Sequence, residues 1–91
     1  MDRLSELVGK CKGEVIVSFN EHTSNYETVA ERIGIWEQHE GYEIEPHIKD
    51  KMIELDTIVT VHFYPSTPIG FYKVIHYDLG MALDEALDCI K

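Results

Sequence analysis

Thr57-Ile58-Val59-Thr60-Val61-His62-Phe63-Tyr64, then Pro65-Ser66-Thr67-Pro68-Ile69-Gly70, then Phe71-Tyr72-Lys73-Val74-Ile75-His76-Tyr77-Asp78, reads as strand, turn and strand. β-Branched and aromatic residues fill both outer runs, the composition that suits a pleated, half-buried surface. The two prolines between them cannot donate to a ladder, which places the turn there and makes the whole a β-hairpin. Side chains alternate along a strand. Pairing Tyr64 with Phe71 therefore puts Val59, Val61, Phe63, Tyr72 and Val74 on one face, and Ile58, Thr60, Tyr64, Phe71, Ile75 and Tyr77 on the other. Both faces are apolar enough to want cover. A 91-residue chain has little to spare for two faces, which points to a homodimer or another partner on the second.

Working outward, residues 80–90 carry Leu83, Ala86, Leu87 and Ile90 at helical spacing, so a helix follows the hairpin. Upstream, residues 14–20 read as a third strand with Val15, Val17 and Phe19 on one face. Residues 2–11 read as a short helix with the stripe Leu4, Leu7, Val8, Cys11. The spacing Ser24-Asn25-Tyr26-Glu27 suits a capping box and predicts a helix over 25–39, against which Gly34 and the strand-like Ile33-Gly34-Ile35 argue. Pro46 opens a further helix over 46–55, with Ile48, Met52 and Leu55 as its stripe. The expected architecture is a single α+β domain over 1–91, a small three-stranded sheet packed by three to four short helices in the order α-β-α-α-β-β-α.

A hydrophobic content of 44% is enough for one core without metals or disulfides. The two cysteines, Cys11 and Cys89, are too few for a stapled secreted domain, and each sits where an apolar stripe takes a small side chain. Both read as buried free thiols. No apolar run is long enough to span a bilayer. The first residues lack the basic start and apolar stretch of a signal peptide, so a cytoplasmic location is expected.

The net charge is −9, and −7 of it falls in residues 21–56, where ten acids face Arg32, Lys49 and Lys51. Such a field repels nucleic acid and anionic lipid and attracts a basic protein surface.

The sequence carries no nucleophile elbow, phosphate loop or zincin spacing. His62 and His76 fall on opposite faces of the hairpin and cannot share an ion, so neither a metal nor a cofactor is expected. Glu21-His22 and His39-Glu40 could form acid/base pairs, but their positions better suit exposed polar residues in a turn and at a helix end. The aromatic group of Phe63, Tyr64, Phe71, Tyr72, Tyr77 and Trp36 divides between core and surface by its alternation.

The run from His62 through Leu87, His-Phe-Tyr-Pro-Ser-Thr-Pro-Ile-Gly-Phe-Tyr-Lys-Val-Ile-His-Tyr-Asp-Leu and then Ala-Leu-Asp-Glu-Ala-Leu, resembles small accessory proteins of bacteriophages and mobile elements. The resemblance implies a hairpin followed by a helix. It brings no activity and no functional residue.

The leading functional expectation is a non-enzymatic protein-binding module, such as an inhibitor, antidote or adaptor. Trp36 and Tyr42 would be its anchors and Glu37, Glu40, Glu43 and Glu45 the charged surround for a basic partner. A second reading is a homo-oligomer that buries the second sheet face. A third is a small-molecule pocket between the sheet and residues 25–55, with His22, His62 or His76 as titrating groups.

Overall fold

The computed structural model describes residues 2–20, 28–67 and 70–90. Its elements are α1 (Arg3–Gly9), β1 (Ile16–Phe19), α2 (Val29–Glu40), α3 (Pro46–Leu55), β2 (Val59–Phe63), β3 (Tyr72–His76) and α4 (Leu79–Cys89), in the expected α+β order. The sheet is antiparallel with strand order β1-β2-β3. The hairpin register is the one its turn implies: Phe63 faces Tyr72 and Val59 faces His76.

Both faces of the sheet are covered by this one chain. On the first face, Val59, Val61, Phe63 and Val74 pack with Leu7 of α1 and with Ala82, Leu83, Ala86 and Leu87 of α4. On the second, Ile58 and Ile75 pack beneath Val29, Ile33 and Trp36 of α2, with Ile44 and with Met52 of α3. The second cover is incomplete. Ile16, Tyr64 and Phe71 stay about half exposed, and the Tyr64 and Phe71 rings stack at 4.6 Å in the open. Their counterparts Phe63 and Tyr72 stack at 5.7 Å on the first face, so the aromatic group divides as its alternation requires.

Several local expectations change. The Ser24-to-Glu27 box lies outside the described residues, and α2 is capped by the same spacing one turn later. Thr28 Oγ1 accepts the Glu31 N–H at 3.1 Å and donates to Glu31 Oε1 at 3.1 Å. Ile33, Gly34 and Ile35 are helical, because Ile33 and Trp36 need one face to reach the sheet. The α1 stripe buries only Leu7, leaving Leu4 and Val8 exposed. Cys11 is half-buried and Cys89 exposed, not buried as expected, since α4 turns Leu83, Ala86 and Leu87 inward and Cys89 away. Both are free thiols. No helix among the described residues is long and apolar enough to cross a membrane.

Candidate functional site

The acidic residues picked out between positions 36 and 45 separate into two groups. Glu37 is a brace. Its Oε2 accepts the Ile44 N–H at 2.8 Å and meets Lys49 Nζ at 3.0 Å, tying α2, the following loop and α3 together. These bonds to the charged form hold its carboxyl below the usual range, the Ile44 amide first and Lys49 second. Glu40 is a second brace. Its Oε2 takes His39 Nδ1 and Lys73 Nζ, each at 3.0 Å, and so ties the end of α2 to β3. The His39 bond is the larger cause of its lowered pKa. Trp36 is 6% exposed and belongs to the core, so its ring is not an exposed anchor.

The remaining three, Tyr42, Glu43 and Glu45, face solvent together. Gly41 creates this placement. It closes α2 in the left-handed conformation, at φ 78°, and sends the chain across to α3. Glu45 then takes the N-cap position of α3, yet its carboxylate accepts no capping bond. Ile44 is pinned inward between them by its amide bond to Glu37 and by its own burial.

Tyr42, Glu43 and Glu45 line a groove of about 270 Å³ whose floor is Ile44, Ile48 and Ile75. Its far wall is Glu85 of α4, forty residues further along the chain. Glu85 escapes sequence reading because helical periodicity marks it only as off the apolar stripe; its meeting with the 42–45 loop is a tertiary event. Burial pushes the Glu85 carboxyl up, and the like charges of Glu45 and Asp88 push it further. Burial likewise raises the Tyr42 phenol, with Glu40 and Glu85 adding to it. Among the described residues no Lys or Arg pairs with Glu43, Glu45 or Glu85; Glu45 has only the exposed His47 ring at 3.3 Å. The groove thus has an apolar floor flanked by the carboxylates of Glu43, Glu45 and Glu85.

His62 and His76 are on opposite faces of the sheet, as the alternation requires, and His22 lies outside the described residues. His76 is buried, and its Nδ1 accepts the Tyr77 N–H at 2.9 Å and the Asp78 N–H at 3.4 Å, a structural task at the junction of β3 and α4. Among the described residues no group of His, Cys, Asp and Glu could hold a metal ion. Comparison of the chain with protein-family models, with curated proteins and with solved structures finds no match in any of the three.

Proposed function

We propose that the chain is a non-catalytic binding module that takes a basic side chain of a partner protein into the groove between the 42–45 loop and α4. The carrying observation is the convergence of Glu43, Glu45 and Glu85 around Ile44, Ile48 and Ile75, with no Lys or Arg among the described residues that line the groove. An arginine or lysine matches both halves of that arrangement. Its aliphatic stem covers the apolar floor while its head reaches the carboxylates. An arriving cation also offsets the like charges of Glu45 and Asp88, which add to burial in raising Glu85. Each exposed ion pair contributes little, about 0–1 kcal/mol. The ring of charge therefore acts chiefly on encounter rate and partner choice, and the floor and Tyr42 supply contact area.

The test is titration of a short arginine-containing peptide into the native chain and into Glu85→Gln and Glu43→Gln/Glu45→Gln variants, at low and at physiological salt. The reading predicts at least fivefold weaker binding in each variant and a marked loss with salt. Equal affinity across the three proteins would remove it.

A second reading, self-association, draws on the half-exposed Ile16, Tyr64 and Phe71 on the incompletely covered face. A monomeric solution mass at high micromolar concentration would exclude it.

A further inference from the structure

A second concavity, of about 260 Å³, lies between α2 and the second face of the sheet. Arg32, Ile35, Trp36, His39 and Glu40 line it from α2. Thr60, His62 and Lys73 line it from β2 and β3. Two of these residues carry buried polar atoms without a hydrogen-bond partner, Thr60 Oγ1 and Trp36 Nε1. Buried polar atoms in native folds are nearly always paired, and an orphan calls for an explanation. For Trp36 part of the explanation is local: the Tyr42 hydroxyl is near enough for the indole to act on it, though no hydrogen bond of ordinary geometry forms. Thr60 has no such neighbour. It is 5% exposed, on the central strand, on the face that forms the cleft floor.

The cleft is also polarised along α2. Arg32 and Glu40 are eight residues apart, about 12 Å along a helix axis. At the Glu40 end the charges are already matched, since Glu40 holds Lys73 and His39. At the other end stands the Arg32 guanidinium, a planar donor suited to a carboxylate. Between the two ends lie Ile35 and Trp36, apolar and aromatic. A cavity of this volume lies just below the usual range of ligand sites, about 300 to 1,000 Å³, and so suits only a small ligand. In a chain of net charge −9 a polyanion would be repelled as it approached.

We propose that this cleft binds a small monoanionic aromatic acid, its carboxylate on Arg32 and accepting the Thr60 Oγ1–H, and its ring against Ile35 and Trp36. The site is separate from the acidic groove and does not depend on it.

Trp36 is the one tryptophan in the chain and lines the cleft, so its fluorescence reports occupancy directly. Benzoate titrated into the native protein should give a saturable change, with at least tenfold tighter binding than benzyl alcohol, the uncharged analogue, and tighter binding than the dianion phenyl phosphate. Arg32→Gln should bring benzoate to within twofold of benzyl alcohol, and Thr60→Val should weaken benzoate about fivefold with the circular dichroism of the fold unchanged. No saturable response to benzoate, or equal response to benzyl alcohol, would overturn the proposal. Phenyl phosphate binding as tightly as benzoate would overturn the monoanion assignment. Should Arg32→Gln fail to fold, the comparison of the three ligands on the native chain still decides.

Discussion

Thr60 sits at the centre of the sheet with a hydroxyl that nothing among the described residues satisfies. Leaving such a group buried costs about 1–3 kcal/mol, and an apolar replacement of the same shape removes the penalty. Thr60→Val should therefore raise the urea midpoint of the unliganded protein, by an amount worth roughly 1 kcal/mol. A lowered midpoint would show that the hydroxyl does have a partner. His76 works in the opposite sense. Burial, the largest cause, holds its imidazole below the usual value of 6.5, and protonation of Nδ1 would displace the two amides it accepts. A base whose folded pKa is lowered binds fewer protons folded than unfolded, so its contribution is present above 6.5 and is lost as pH falls from there through the folded value. Glu37 and Glu40 are acids with lowered folded values, so their contributions are present above 4.5 and are lost as pH falls below it. Urea midpoints against pH should show two declines, and His76→Gln should remove only the upper one. A single decline in the native protein would contradict the role given to His76.

At the scale of elements, the caps carry testable weight. Thr28→Ala removes the reciprocal bonds with Glu31 and should destabilise by about 1 kcal/mol, read from the thermal midpoint. Gly41→Ala forces a side chain into φ 78° at the turn that delivers Tyr42, Glu43 and Glu45, and should cost about 1–2 kcal/mol. Peptide affinity should fall with it if that turn positions the groove. Much of this layer was legible in the residues themselves. The hairpin register follows from strands and turn that adjoin in sequence, so Tyr64 and Phe71 could be paired from their spacing alone. The start of α2 was misplaced because two consecutive runs, Ser24 to Glu27 and Thr28 to Glu31, share the capping spacing. The roles of the glutamates were not legible. Glu37 is consumed by an amide seven residues away and Glu40 by a lysine thirty-three away, contacts that depend on how α2 lies across the sheet. Glu85 enters the groove for the same reason.

Over the whole molecule, extents of 35 × 25 × 24 Å hold a net charge of −9. The Debye length is about 30 Å at 0.01 M salt and about 8 Å at 0.15 M, so charges across the domain repel one another at the lower concentration and are screened at the higher. The thermal midpoint should rise between those two concentrations, and a fall would mean that the internal pairs at Glu37 and Glu40 outweigh the general repulsion. The same field that weakens the isolated domain would draw a basic partner toward it. The acidic groove and the Arg32 cleft share no lining residue, so the two sites can be tested separately. The acidic groove is tested most directly by a nitrogen-15 amide spectrum recorded while a short arginine-containing peptide is added. Shifts confined to Tyr42, Glu43, Ile44, Glu45, Ile48, Ile75 and Glu85 are the predicted result. Shifts spread equally over the outward acids Asp50 and Glu54 of α3 would show charge attraction without a site, and would contradict it.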